Sequence, residues 1–427
     1  MIPTILATVL LNWYRKRRLQ RRRRLARLRK IHRLNIEFIS ILALFWATSI
    51  PDCSILTRKV KNRKRAWIIP RNRNFFNKLL SVPESNGLRE EAFIENFRMR
   101  ISCFNNLVAL VRPKMQKALF AVREALTVEE RVAIGITRFA NGTTFSVTGR
   151  IFGVGKATAV QCFFDLMKAL CGLKDQFIKF PSSNRDCELH IQTFKEYTKC
   201  KIPNIIAALD GTLVKIRKPT KNAVDFFCRK QYYAVNTQLC VGANLKILFM
   251  ATGFAGSMHD STQFRSTSLC SDLEENIVLR GPLAYLPDGT IYRPLLLGDG
   301  AYRLSNYLLK PYSGALNDSK RHYNRILSSA RVIVENCNGV LKARWRLLLK
   351  MLECEVGNIS DYITAACVLH NICQESKEPY DEQEAERIQI TEAENTDTAD
   401  GVQLHLDASN SGTQLREKIR LHLDTIR

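Results

Sequence analysis

Apolar and polar positions change their rhythm along this chain. From Phe93 to Leu110 (FIENFRMRISCFNNLVAL) apolar residues return at helical spacing. The stretch Leu126 to Leu170 keeps that period. Thr127 and Glu130 stand at capping-box spacing, a helix is predicted to about Phe139, and Asn141-Gly142 stops it. A second short helix, a glycine-bearing turn at Phe152 to Gly155 and a third helix from about Lys156 follow. This punctuation suits a helix-turn-helix, with Lys156 opening the element that a recognition helix would occupy. Any three-helix bundle would show it too.

From Pro203 the texture turns to strands. Asn204 to Leu209 (NIIAAL) is a short apolar run predicted to end at Asp210-Gly211. Tyr232 to Val241 and Leu245 to Thr252 read as two more strands, joined by a turn at Gly242-Ala243-Asn244. Leu295 to Leu297 is a fourth, ending at Gly298-Asp299-Gly300, and a long helical pattern runs from about Arg321 to Leu349. Hairpin strands followed by a strand and a helix describe a mixed α/β layer around one sheet.

Charge sharpens the division. The net charge is +25 over 427 residues, and residues 1–78 contribute +19 of it, mostly from Arg15 to Lys30 and Arg58 to Arg73. Runs of this density attract phosphate backbones by counterion release and serve as nuclear-import signals; they also make ordinary solvated tails. At the other end, Glu375 to Asp400 holds ten acidic residues against Lys377 and Arg387. The expected organisation is a basic arm (1–80), a helical domain (81–175), an α/β domain (176–375) and an acidic tail (376–427), mobile but for a short helix near Leu415 to Leu423.

Other classes fit less well. Phe38 to Ile50 is apolar over thirteen residues, short of the roughly 18 that a bilayer span needs, and a soluble protein without membrane attachment is expected. Met1 to Tyr14 precedes the arginines, the reverse of a signal peptide. The thirteen cysteines include no Cys-x-x-Cys pair, so neither a zinc ribbon nor a disulfide framework is indicated, and reduced core thiols are expected.

The candidate chemistry lies in four carboxylates. Asp210 and Asp299 each follow an apolar strand and adjoin glycine, Asp260 lies just past the third strand in SMHDS, and Glu335 sits mid-helix in ARVIVENCNGVLKARW. Each has a plainer alternative: turn residues for Asp210 and Asp299, a helix cap for Asp260, an ion pair with Arg331 for Glu335. Together they suggest a shared cation, because carboxylates are costly to bury unpaired. An all-oxygen set selects a hard divalent ion, Mg²⁺ or Mn²⁺, and two such ions about 4 Å apart would drive in-line phosphodiester displacement. Asn338, Lys342 and Arg346 share the helix side of Glu335, which suits contact with a DNA phosphate. His370, among apolar residues in ACVLHNIC, reads as a structural histidine.

The ordered series LDGT (Leu209 to Thr212), GSMHDS (Gly256 to Ser261), LLGDGAY (Leu296 to Tyr302), RVIVENCNGVLKARW (Arg331 to Trp345) and ACVLHNIC (Ala366 to Cys373) resembles the PIF/Harbinger superfamily of DDE transposases and the nucleases derived from them. Thirty-five residues separate Asp299 from Glu335, which suits the last spacing of such a triad. RKRAWIIPR (Arg63 to Arg71) and NFRMR (Asn96 to Arg100) extend the likeness over roughly residues 60–375. The resemblance implies a ribonuclease-H-like α/β fold behind an all-α helix-turn-helix domain. It makes Asp210, Asp299 and Glu335 the catalytic acids and Asp260 a fourth metal ligand. It further implies a nuclear protein acting on DNA beside a separate Myb-like protein, alone or as a homo-oligomer. The chain departs from the pattern at Leu213, where histidine is common, at Arg303 in place of proline, and at Asn336-Cys337, where an arginine is frequent. A metal-dependent DNA endonuclease, or a DNA-binding adaptor that keeps the fold without turnover, would both carry these features.

Overall fold

The computed structural model describes residues 74–84, 87–116, 126–397 and 409–426, all within one compact unit, Arg71–Arg427. The basic runs of the N-terminal arm lie outside the described residues.

The helical segment comprises α1 (Phe75–Leu80), α2 (Leu88–Phe97), α3 (Ile101–Met115), α4 (Val128–Asn141), α5 (Phe145–Ile151) and α6 (Lys156–Cys171). The capping box forms at α4: the Thr127 hydroxyl accepts from Glu130 N, and the Glu130 carboxylate accepts from Thr127 N at 2.9 Å. Gly142, in the left-handed region at φ 61°, ends the helix where the sequence places the stop. This segment packs directly on the rest of the chain. Phe139 meets Trp345 edge-on at 6.5 Å, Phe163 lies 5.1 Å from Tyr362, and a continuous apolar cluster joins α3, α4 and α6 to the sheet.

After α7 (Asn184–Thr198) come β1 (Ile205–Lys215), β2 (Ala234–Gly242), β3 (Ile247–Ala255), the short helices α8 (Asp260–Arg265) and α9 (Ser268–Glu274), the small hairpin β4 (Ala284–Tyr285) and β5 (Ile291–Tyr292), then β6 (Leu295–Leu297) and β7 (Leu308–Leu309). The main sheet has the order β3-β2-β1-β6-β7. Its first three strands form an antiparallel meander, and β6 and β7 run parallel to β1. This five-stranded mixed sheet with flanking helices is consistent with a ribonuclease-H-like fold. Helices α10 (Asp318–Arg344) and α11 (Val356–Glu375) pack on one face and α7 on the other.

Strand alternation decides what each face receives. Ala208 and Val214 of β1, and Ile216 just past it, join the apolar cluster of α10 and α11, whereas Leu209 joins a second cluster with Leu296, Leu308 and Phe264. Asp210 and Gly211 therefore address opposite faces.

Several boundaries differ from the pattern reading. The first strand does not stop at Asp210-Gly211; it continues to Lys215, because β2 pairs with it residue for residue through Asp210↔Leu239, Gly211↔Gln238 and on to Lys215↔Ala234. β3 begins at Ile247 because Leu245, at φ 60°, belongs to the turn. The long helix ends at Arg344, and Arg346–Leu349 continue as a 3₁₀ turn around the buried Trp345. The acidic segment, expected to trail away mobile, forms α12 (Glu382–Asp397), packed on α10, and is followed by α13 (Asn410–Thr425). Leu415, Ile419 and Leu423 bury at helical spacing in the main core, which gives α13 an amphipathic face to dock.

Among the described residues every cysteine is a free thiol, and no helix is long and apolar enough to cross a membrane. His370 is fully buried, its Nε2 lies 2.8 Å from the Leu245 carbonyl, and burial lowers its pKa to about 4. It is a structural histidine. Its neighbour Asn371 binds the first residue of β3 at both ends, with Oδ1 accepting from Ile247 N at 2.9 Å and Nδ2 donating to Ile247 O at 2.7 Å and to Phe177 O at 2.8 Å. Asn371→Leu strands these backbone groups without solvent, so chemical denaturation should show a loss of about 3 kcal/mol. A midpoint equal to wild type would show that the residue is not needed to hold β3.

Candidate active site

The site begins with Asp210, in the middle of β1 on the face covered by α10. Its side chain is about 20% exposed, and Arg331 of α10 points a guanidinium nitrogen at it from 3.6 Å. The same guanidinium pairs with Glu335, one turn further along α10. The Arg331–Glu335 contact is thus not an isolated surface pair. It is half of a bridge from helix to strand that joins two of the expected acids.

On the opposite face, Asp260 opens α8. Its Oδ1 accepts from Asn236 Nδ2 at 2.8 Å and from Gln238 Nε2 at 2.9 Å, both on β2. Gly211 makes this approach possible: a Cβ there would lie 2.2 Å from Asp260 Oδ1. Any other residue at 211 would push the carboxylate off the strand. Gln238 also donates to Gln263 Oε1 at 3.1 Å, and the buried Tyr302 hydroxyl donates to Gln238 Oε1 at 2.5 Å. Asp299, just past β6, accepts from Ala301 N at 2.9 Å. Since β6 lies parallel to β1 with Ala208 beside Leu297, the turn after β6 comes out next to Asp210.

The electrostatics show that these groups feel one another. The Asp210 carboxyl is raised well above the usual range by burial, with Asp299, Asp260 and Glu335 adding repulsion and Arg331 opposing it. Burial and Asp299 likewise raise Asp260, against its two amide hydrogen bonds. Burial alone would weaken the Arg331 charge, yet Asp210, Glu335, Asp299 and Tyr302 hold its pKa above the ordinary value. Three carboxylates, Asp210, Glu335 and Asp299, act on Arg331.

The structure thus brings Asp210, Asp299 and Glu335 into one electrostatic group, with Asp260 reaching it through the gap at Gly211. Among the described residues no three His, Cys, Asp or Glu side chains stand close enough to hold a metal ion as they are. The donor set still suits a hard cation. It is all oxygen, it carries excess negative charge, and Asn236 Oδ1 is a buried acceptor without a partner beside Asp260. Arg331 supplies a positive charge where such an ion would act.

The expected DNA contacts divide. Lys156 is exposed at the start of α6. Lys342 is not available as expected: it is about 1% exposed, its ammonium pairs with Glu392 of α12 and donates to Leu213 O at 3.1 Å. Helical spacing gave its side of α10 but could not show that a later helix covers it. Arg346 lies 3.5 Å from Glu384 of the same helix. Asn236 and Gln238 lie outside every motif, and Tyr302 closes LLGDGAY without a role there, because only pairing to β1 and the seating of α8 give them one. Polar residues at alternate positions 236 and 238 of an otherwise buried strand were the available signal.

A family profile described as "DDE superfamily endonuclease" matches residues 209–371, a span that contains all four carboxylates. The protein Antagonist of Like Heterochromatin Protein 1 of Arabidopsis thaliana is 27% identical over 300 residues, covering 68% of this chain and 75% of its own. HARBI1 of Rattus norvegicus, named as a candidate nuclease, is 26% identical over 256 residues, covering 59% and 68%; the Homo sapiens HARBI1 is 25% identical over the same length. No solved structure gives a significant match.

Mutual repulsion makes a stability prediction. Because the folded-state pKa of Asp210 is raised, its contribution is most favourable below the unfolded value of about 4 and is lost as pH rises through the folded value. Asp210→Asn should therefore raise the melting temperature of metal-free protein by about 2–4 °C at pH 8 and change it little at pH 4. A fall at pH 8 would mean that the pair with Arg331 outweighs the repulsion.

Proposed function

Because the chain carries a DDE superfamily endonuclease domain at residues 209–371, we propose that it is a divalent-metal-dependent DNA endonuclease. Asp210, Asp299 and Glu335 are the catalytic acids, and Asp260 is a further metal-binding group. The observation that carries this reading is the gathering of Asp299, Asp260 and Glu335 around the buried Asp210, whose carboxyl is raised by burial and by these three like charges. Natural sites keep such a cost where function requires it.

When bound, Mg²⁺ or Mn²⁺ would supply a water of lowered pKa and stabilise the oxygen leaving phosphorus. The protein's own residues prepare that chemistry. β1 and β6 hold Asp210 and Asp299 on adjacent parallel segments, and α10 brings Glu335 to the same place. Gln238, fixed by Tyr302, locks one oxygen of Asp260 and leaves the other for a cation. Arg331 bridges Asp210 and Glu335, and its planar fork would suit a scissile phosphate.

Around this centre we assign α4 to α6 as a helix-turn-helix that meets DNA through Lys156, and the basic arm as a phosphate-binding and nuclear-import segment. A Myb-like DNA-binding partner, as Harbinger-type proteins use, would supply sequence choice. Residues 81–175 and 176–375 serve as the DNA-reading and nuclease parts, and the nucleus is the place of action.

A second reading has its own support. Arg331 already pairs with Asp210 and Glu335, and among the described residues no three acids stand at ligating separation. An adaptor that binds DNA without cutting it would tolerate both. Measuring the melting temperature with and without Mn²⁺, in wild type, Asp210→Asn and Asp299→Asn, separates the two. The nuclease reading expects about 2.7 kcal/mol of stabilisation at a hundredfold excess over Kd in wild type. Both variants should lose that increment together with DNA nicking, while keeping DNA affinity. Absence of any Mn²⁺ effect in wild type, with DNA also present, would leave the adaptor.

A further inference from the structure

The acidic helix α12 crosses α10 beyond the carboxylate site. The two backbones meet at Gly339, where a Cβ would lie 2.7 Å from the Ala385 carbonyl. The apolar part of the crossing is small: Val340, Ala343 and Ala385, with Leu245 and Ile388 at its edge. The rest is polar and charged. Glu392 pairs with Lys342, Lys230 Nζ donates to Glu392 O at 2.6 Å, Gln389 Nε2 donates to Asn336 Oδ1 at 2.9 Å, and Glu384 lies 3.5 Å from Arg346.

Arg98, from the NFRMR segment, belongs to this group. Burial and the neighbouring Arg346 lower its pKa, while Asp381, Glu384 and Glu95 oppose the fall. Arg98 and Arg346 each keep a buried Nε with no hydrogen-bond partner. Two arginines held within each other's field are unfavourable unless an anion neutralises them, and two of the three acids doing so come from α12 or the residue before it. Lys230, Lys342, Arg346 and Arg98 thus form a cationic track that α12 covers. Lys342 lies seven residues past Glu335, or about 10 Å along the helix axis.

We propose that α12 is a displaceable mask: Glu384 and Glu392 occupy the places that phosphates of a DNA backbone take on this track, and DNA binding lifts the helix. The proposal rests on the nuclease reading in taking DNA as the ligand. The physical argument is the imbalance of the interface. The partly exposed Glu384–Arg346 pair contributes little to docking, and the apolar patch is small, whereas the buried Lys342 ammonium needs an anion that a phosphate could supply in place of Glu392. Gly339 allows α12 to lie close enough for Glu392 to reach Lys342. The core-docked α13 keeps α12 tethered to the body after release.

The test uses the full chain and a fluorescent random-sequence duplex. Affinity is read by anisotropy over a salt series, and amide hydrogen exchange is followed across residues 382–392 with and without saturating duplex. Glu384→Gln with Glu392→Gln should bind the duplex roughly tenfold more tightly than wild type, because the competing intramolecular state is weakened. Adding Arg346→Gln should reverse the gain. In wild type, duplex should speed exchange across 382–392. Binding with unchanged exchange there would overturn the proposal and make α12 a permanent clamp, and this arm decides the matter if the double variant fails to fold. Absence of duplex binding by wild type and variant alike would overturn it differently, by removing the DNA reading on which it stands.

Discussion

The arrangement turns on one unequal charge balance: the buried Asp210, with Asp299, Asp260 and Glu335 around it, against the guanidinium of Arg331 that bridges Asp210 and Glu335. Burying carboxylates is unfavourable, and burying several together more so, unless a cation or hydrogen bonds compensate. Arg331 compensates Asp210 and Glu335, while two side-chain amides compensate Asp260. What is left over is the excess negative charge that a divalent ion would satisfy. The surrounding secondary structure can be understood as the means of holding that excess in place.

Three features hold it. The paired register of β1 and β2 fixes Asn236 and Gln238 beside Gly211, so Asp260 finds donors only if the strands stay in step. Tyr302 locks Gln238 from below and ties the turn carrying Asp299 to the same network. The third is α10, which spans the body and is anchored at its far end by Trp345 against Phe139 of the helical segment. The helical segment and the helix that carries Glu335 and Arg331 thus share one core.

The acidic end of the chain takes part in the same electrostatic economy. Its carboxylates pair with Lys342 of α10 and with Arg346 just past it and lie near Arg98 after α2, as Arg331 pairs with Asp210 and Glu335. One helix thus carries both signs of charge along its length, each provisionally matched by groups of its own chain.

Much of this was legible in the sequence. The Thr127–Glu130 box, the Asn141-Gly142 stop, the Leu295–Leu297 strand and the place of the acids beside apolar runs all rest on local preferences that act within a few residues. The rhythm of short apolar runs and one long helical pattern indicated the mixed α/β layer for the same reason, while the ordered carboxylate motifs carried the family resemblance. Other features needed the tertiary structure. β1 runs on past Asp210 because β2 supplies partners there. Gly211 matters because Asp260 approaches from α8. Arg331 faces Asp210 as well as Glu335 because α10 lies over β1. Lys342, on the expected side of α10, is buried because α12 covers that side. A sequence declares backbone preferences and the period of its apolar face locally, but a side chain's electrostatic partner is set by which distant segment packs against it, and only the folded chain decides that.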